Sequence, residues 1–236
     1  MNSILDSNQE YTKEVTRDFF KSVYMYMFMA LAVSGIVAYM AGTPEFFVKH
    51  FVSADGLGVN ALFWAVALAP LGLGVLMQMA YRRLSYGILL ALYITYSVLM
   101  GLSLSTVLLF YSGQSIALTF FVAAGAFGGM AVLGFTTKTD LTKFGSLLYM
   151  AFIGIFIAGI ANIWIGSTAL DFGIAVIGVF VFTGLTAFYM QTLKRASQDN
   201  AITGVERDKL ALVGGLILYI LFVNLFMSLL RLMGSD

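Results

Sequence analysis

Residues Leu210–Leu232 read LALVGGLILYILFVNLFMSLLRL, and this stretch decides the fold. Its only charged residue is Arg231, which stands one position from the end. An α-helix needs about 20 consecutive apolar residues to cross the hydrocarbon core of a bilayer. The stretch is long enough and apolar enough to be a transmembrane helix.

Similar apolar runs occur at six earlier places in the chain. They are Phe20–Ala41, Asn60–Ala80, Tyr86–Phe110, Ile116–Phe135, Gly145–Ile165 and Phe172–Gln191. Strands of a membrane barrel would be about ten residues long and would alternate apolar with polar side chains, so these continuous runs favour helices. The sequence predicts an all-α integral membrane protein with seven transmembrane helices in residues 20–236, preceded by a cytoplasmic N-terminal tail at residues 1–19.

Composition supports the same class. Of the 236 residues 60% are hydrophobic and 11% are charged, whereas a soluble domain carries about 25% charged residues. We therefore expect a lipid bilayer as the main partner of the surface. The net charge of +1 gives no electrostatic case for binding nucleic acid. The absence of Cys excludes disulfides and Cys-based zinc or iron–sulfur sites.

Orientation follows from the basic residues. All 13 Lys and Arg residues except Lys49 and Arg231 fall before or at the very start of the first run or in every second loop after it. Loops rich in Lys and Arg stay in the cytoplasm. This bias predicts a cytoplasmic N-terminus and a C-terminus on the opposite side. The segment from Lys194 to Lys209 is the only long internal hydrophilic loop that the pattern indicates.

The interiors of the seven runs contain no Asp, Glu, Lys, Arg or His. Ionisable residues inside a membrane usually mark proton or ion pathways, because each is expensive to bury there. The only histidine, His50, falls in the first outer loop. Since no nucleophile–base pair and no metal-ligand cluster is visible, we expect no enzymatic activity, no metal site and no cofactor.

Two helices carry polar residues within their apolar runs. Asn224 and Ser228 are four apart in the last run and therefore share a helix face, and Thr186 lies in the sixth run. If these faces meet they form a weakly polar core, which is either a cavity or gate or a set of buried side chains bonded to neighbouring helices. Gly125, Gly128 and Gly129 suggest tight packing of the fourth run against another helix of the chain, with dimerisation as the alternative.

Several motifs together resemble a known family. They are Met100–Ser105 (MGLSLS), Gly134–Leu141 (GFTTKTDL), Ala161–Ile163 (ANI), Gly184–Phe188 (GLTAF) with Gln191, and Leu218–Tyr219 continuing through Asn224–Phe226 to Leu230–Arg231. On these residues the chain resembles the Bax inhibitor-1 family, also called the transmembrane Bax inhibitor motif family, and most of all its bacterial members. The most specific block contains Thr136, Thr137, Lys138 and Asp140 in a predicted cytoplasmic loop.

The resemblance implies a seven-helix fold whose last helix is central. It also implies a calcium leak that opens according to pH, with a pair of Asp residues on the sixth and seventh helices as the sensor. Tyr189 and Leu221 stand at the two positions that match those Asp residues. Tyr stays neutral near pH 7 and Leu never ionises, so the resemblance assigns no carboxylate switch to this sequence.

Two functions follow as hypotheses. The first is a Bax inhibitor-1-like protein of the bacterial inner membrane that conducts calcium or another cation without the diaspartyl pH sensor. The second is a non-conducting regulatory protein that binds another membrane protein, such as a quality-control protease. For the second, the N-terminal tail and the segment from Lys194 to Lys209 are the expected contact surfaces.

Overall fold

A computed structural model describes residues 2–199 and 201–234, together with the side chains of residues 10 and 12–199 in the first of these ranges. The described part is helical. Its helices are α1 (Asn2–Ala41), α2 (Pro44–Phe51), α3 (Ala61–Ala80), α4 (Tyr86–Ser105), α5 (Val107–Phe110), α6 (Gly113–Thr136), α7 (Thr142–Ile165), α8 (Thr168–Ser197) and α9 (Gly204–Met233). Seven segments are long and apolar enough to cross a membrane, with α4 and α5 together forming one of them. The prediction of an all-α protein with seven spans is confirmed.

The helices extend beyond the apolar runs at several ends. Helix α8 continues to Ser197 and α9 starts at Gly204, so most of the segment from Lys194 to Lys209 is helical. The prediction of a long loop there is wrong, and only residues 198–203 connect the two helices. Hydropathy marks the part of a helix that lies in hydrocarbon, whereas backbone hydrogen bonding continues into the headgroup region.

Side-chain caps fix where several helices begin. Asn60 Oδ1 accepts a hydrogen bond from the Phe63 amide at 3.0 Å and starts α3, and Ser85 Oγ does the same for the Ile88 amide of α4 at 3.3 Å. A cap of this kind satisfies one of the backbone amides that the first helical turn leaves unpaired. Thr43 caps α2, a short helix between α1 and α3 that contains His50 and that hydropathy does not reveal.

The first of two compact units contains the described residues up to 111 and residues 197–219. Glycines bring its helices close together. A Cβ at Gly215 of α9 would lie 2.6 Å from the Tyr26 Cβ and 2.8 Å from the Val23 carbonyl oxygen of α1. A Cβ at Gly101 of α4 would lie 2.7 Å from the Ser34 carbonyl oxygen. Both α4 and the first half of α9 therefore pack with backbone contact against α1.

The second unit contains residues 112–196 and the described residues from 220 onward. A Cβ at Gly134 of α6 would collide with the Ala187 backbone of α8, and one at Gly178 would lie 2.6 Å from Ser228 Oγ of α9. By contrast, a Cβ at Gly125, Gly128 or Gly129 would meet no atom within 4 Å. The predicted tight packing at those three glycines is wrong, because glycine spacing indicates a small surface but not whether a helix covers it.

Helix α9 is the most buried span. In its most apolar stretch 67% of the residues are buried, whereas the corresponding share is at most 39% in the other spans described. Its residues up to Tyr219 belong to the first unit and those from Ile220 belong to the second. The central position of α9 stays a prediction.

Helix α1 continues through Phe20, where the sequence predicted the membrane domain to begin. Thr16 and Phe19, on the tail side of that boundary, are buried. Thr16 Oγ1 accepts a hydrogen bond from Ser197 Oγ of α8 at 3.3 Å. These contacts anchor the residues just before the predicted boundary, and the boundary itself stays a prediction.

Replacing Gly134 by Ala tests the contact between α6 and α8. The added methyl group would meet the Ala187 backbone, which cannot rotate away, so we expect a loss of about 1–3 kcal/mol in unfolding free energy. Gly129→Ala in the same helix is the matched control, and we expect it to be neutral or slightly stabilising because Ala favours helix. Equal effects of the two substitutions on thermal unfolding in detergent would contradict the assignment.

Candidate functional site

The two positions that match the family's sensor hold uncharged side chains, Tyr189 and Leu221. Leu221 is buried. Tyr189 is half-buried, and the centroid of its ring lies 6.0 Å from that of Tyr149 and 5.5 Å from that of Phe188, edge to face in both cases. These three rings form a contiguous aromatic cluster on α7 and α8. Such an arrangement contributes packing and offers no carboxylate to bind a cation or take up a proton.

The polar side chains of the predicted core face bond to their own helices. Thr186 Oγ1 donates to the Phe182 carbonyl at 2.7 Å, and Asn224 Nδ2 donates to the Ile220 carbonyl at 2.8 Å. Ser228 Oγ donates to the Asn224 carbonyl at 2.8 Å. Bonding of this kind satisfies a polar side chain without help from another helix. The interpretation of this face as a cavity or gate stays a prediction.

One face of α8 runs antiparallel to the start of α7 and joins the two helices. The face consists of Gly184, Phe188, Gln191 and Arg195, at the four- and three-residue spacing that aligns side chains along a helix. Gly184 contacts the Leu148 side chain, and the Phe188 ring fills the space beside Gly145. The two apolar contacts bring Gln191 and Arg195 to the connection between α6 and α7.

Gln191 makes two hydrogen bonds to that connection. Its Oε1 accepts from the Leu141 amide at 2.9 Å, and its Nε2 donates to the Thr139 carbonyl at 2.8 Å. The side chain is 6% exposed. A primary amide is suited to this position because it presents a donor and an acceptor side by side. Gln191 therefore holds the loop backbone to the end of α8.

Charged groups extend this attachment at the exposed end. Arg195 Nη2 donates to Asp140 Oδ1 at 2.9 Å, and Arg195 Nη1 donates to Thr142 Oγ1 at 3.1 Å. On the other side, Lys194 Nζ donates to the Phe135 carbonyl at 2.8 Å and lies 4.7 Å from the centroid of that ring. We call residues 135–142 with Gln191, Lys194 and Arg195 the α8 clasp.

Asp140 accepts several hydrogen bonds within the α8 clasp. Its Oδ1 accepts from Thr142 Oγ1 at 2.7 Å and from the Thr142 amide at 3.1 Å. These bonds and the bond from Arg195 favour the ionised form and lower the pKa of Asp140 to about 2. The Asp140 carboxylate therefore stays charged throughout the physiological pH range.

The remaining residues of the predicted loop motif have local roles. Thr136 Oγ1 donates to the Val132 carbonyl at 2.7 Å and ends α6. Thr137 Oγ1 accepts from the Thr139 amide at 3.2 Å and shapes the turn, and Lys138 is exposed. The structure thus brings Asp140 together with α8, while Thr136 and Thr137 serve the connection itself.

Sequence reasoning recognised Gln191 as part of a motif but did not assign it to the site, and it counted Arg195 only as a basic residue. The available signal was spacing: Arg195 follows Gln191 by four residues, so both lie on one face of a helix that extends past its apolar run. Among the residues that the structure describes, no group of three acidic or histidine side chains could hold a metal ion.

Comparison with known proteins identifies the family to which the chain belongs. The family described as inhibitor of apoptosis-promoting Bax1 matches residues 16–236. The chain belongs to the Bax inhibitor family. A Caulobacter vibrioides relative is 42% identical over 226 residues, which is 93% of this chain and 89% of the relative. The inner membrane protein YbhL of Escherichia coli K12 is 39% identical over 216 residues, covering 90% and 89% of the two chains. A Borreliella burgdorferi relative is 35% identical and covers 98% of each chain.

Replacing Gln191 by Leu tests how this Bax inhibitor-family protein holds its loop. The Leu141 amide and the Thr139 carbonyl lose their partner, so we expect a cost of about 1–3 kcal/mol in unfolding free energy and faster hydrogen exchange at the Leu141 amide. Thr192→Val is the control, because the exposed Thr192 hydroxyl bonds only to the Phe188 carbonyl of its own helix. Unchanged exchange at Leu141 would rule out the attachment.

The pH dependence of the clasp follows from Asp140. Its folded pKa is depressed, so its contribution to stability is present above the ordinary Asp pKa of about 4 and is lost as the pH falls toward 2. We expect Thr142→Ala to raise the pKa of Asp140 more than Arg195→Gln does, since Thr142 supplies the largest effect. Carbon NMR of the Asp140 carboxyl group measures both, and an unperturbed titration in the native chain would refute this account.

Proposed function

We propose that this protein is a calcium leak of the bacterial inner membrane whose opening does not respond to pH. The observation that carries the proposal is the chemistry at the two sensor positions. Two nearby buried carboxylates share a proton and titrate as a unit, which couples pH to conformation. Tyr189 and Leu221 offer no such pair, and the polar side chains at Thr186, Asn224 and Ser228 are neutral and bonded within their own helices.

The proposal also includes the membrane in which the protein lies and the side that each terminus faces. The relative YbhL is named an inner membrane protein, which supports the same membrane for this chain. The distribution of Lys and Arg supports a cytoplasmic N-terminus and a C-terminus on the opposite side. In that orientation the α8 clasp faces the cytoplasm.

A second candidate function is binding to another membrane protein without conduction. Exposed charges on α1 favour it, because Glu14, Arg17, Asp18 and Lys21 form ion pairs with side chains more than half exposed. Exposed pairs of this kind add little to stability. They leave a polar surface available to a partner on the side predicted to be cytoplasmic.

Calcium flux in liposomes tests the proposal. The native chain is reconstituted around a calcium-sensitive dye, and we expect equal flux at acid and alkaline pH because the two sensor positions hold Tyr189 and Leu221 instead of carboxylates. The double variant Tyr189→Asp with Leu221→Asp should make the flux pH-dependent. The matched control, Tyr189→Asn with Leu221→Asn, adds polarity without a titrating group and should leave the flux insensitive to pH.

Two outcomes oppose the proposal in different ways. A strongly pH-gated flux from the native chain would show that the sensor lies elsewhere. No flux from the native chain at either pH, with a correctly folded and inserted protein, would favour the non-conducting candidate.

A further inference from the structure

A cavity opens in the first unit where α3 ends and α9 begins. It contains about 280 Å³ of open space. The described residues that line it are Tyr81, Arg82, Ile202, Glu206, Lys209 and Leu210. Two of these side chains are basic and one is acidic, so the lining has an excess of one positive charge.

The cavity lies at the edge of the apolar spans. Helix α3 ends at Ala80, directly before Tyr81 and Arg82, and the last apolar run of the sequence begins at Leu210. Tyrosine is common at this level of a membrane protein because its ring is apolar and its hydroxyl is polar. Phospholipid headgroups begin where the hydrocarbon layer ends. The cavity is therefore at the level expected for the phosphate of a lipid.

The guanidinium group of Arg82 is held on one side of the cavity. Its Nε donates to the Tyr81 hydroxyl at 3.1 Å, and its Cζ lies 5.7 Å from the centroid of the Tyr81 ring. The Tyr81 hydroxyl above all, and Glu206 to a smaller extent, raise the pKa of Arg82, so its charge is permanent. The bond through Nε leaves the two terminal nitrogens for an anion, and a guanidinium binds phosphate well because it can donate two parallel hydrogen bonds.

Lys209 supplies the second positive charge of the lining. It is half-buried and follows Glu206 by three positions, so the two residues share a face of α9. Even so, none of the ion pairs among the described residues includes Lys209 or Arg82. A partly buried charge without a counterion is unfavourable. An anion in the cavity would be close to both basic groups and would remove this cost.

We propose that this cavity binds the headgroup of an anionic phospholipid, with the lipid phosphate between Arg82 and Lys209. Phosphatidylglycerol carries a single negative charge, which balances the excess positive charge of the lining, whereas phosphatidylethanolamine is neutral overall. Basic pockets between transmembrane helices recognise anionic headgroups by this complementarity of charge. Ile202 and Leu210 offer apolar contact to the part of the lipid beyond its phosphate. The site does not depend on the proposed calcium leak.

Thermal unfolding of the full chain in a neutral detergent tests the site. A ligand that binds only the folded state raises the Tm. We expect short-chain phosphatidylglycerol to raise the Tm to a plateau, and phosphatidylethanolamine or inorganic phosphate at the same concentration to raise it much less. An equal rise with phosphatidylethanolamine would overturn the preference for an anionic lipid. An equal rise with inorganic phosphate would show that the cavity takes the free anion, and no rise with phosphatidylglycerol would overturn the site.

Two neighbouring arginines provide a matched pair of variants. Arg82 and Arg83 are both exposed and adjacent in the chain, but only Arg82 lines the cavity. Arg82→Gln removes hydrogen bonds to a charged group, so the affinity for phosphatidylglycerol in the same titration should fall about ten-fold. Arg83→Gln removes an equal charge outside the cavity and should change the affinity little, because salt screens its attraction. Equal losses in the two variants would show that the lipid responds to the general charge of this end of the protein, and would refute the site.

Lys209→Gln tests the other basic group of the lining. We expect a loss of affinity for phosphatidylglycerol similar to that of Arg82→Gln, since the phosphate lies between the two groups. The Tm of each variant without lipid shows whether it is folded, so a weak response to lipid can be separated from a damaged fold. An unchanged affinity in folded Lys209→Gln would contradict the position of the phosphate.

Discussion

Hydrocarbon cannot hydrogen-bond, and this constraint governs how polar side chains behave in the spans. A hydroxyl or amide placed there must find a partner in the protein. Thr186, Asn224 and Ser228 find it one turn back on their own helix. Polar residues can therefore occupy buried faces of α8 and α9 without a partner on another helix. The lack of charge in these faces leaves the second unit without a titrating pair at the family's sensor positions.

Helices in lipid gain little from the hydrophobic effect between themselves, so backbone contact and specific hydrogen bonds must hold them together. In the second unit both occur along one face of α8, first as the Gly184 and Phe188 contacts and then as the bonds from Gln191 and Arg195. The segment that this face holds is residues 139–142, which directly follow the Thr-Thr-Lys motif.

The spans could be predicted from the sequence because apolar length is a direct requirement of the bilayer. The end of α8 could not be predicted, because hydropathy does not show how far a helix continues beyond the hydrocarbon. Gln191 and Arg195 were therefore not assigned to the site. The glycine contacts were predicted at the wrong places, since Gly125 and Gly134 look alike in sequence and only the three-dimensional structure shows which one meets a neighbour. The motif residue Asp140 was recognised by resemblance, but its bond to Arg195 depends on a residue 55 positions away.

The alignment of α8 with α7 limits where residues can be inserted into or deleted from this chain. Each added residue turns a helix by about 100° and advances it by about 1.5 Å. One insertion between Gly184 and Phe188 would rotate every later member of the face away from α7 and would free the loop at once. Insertions and deletions in relatives should consequently be excluded from this interval.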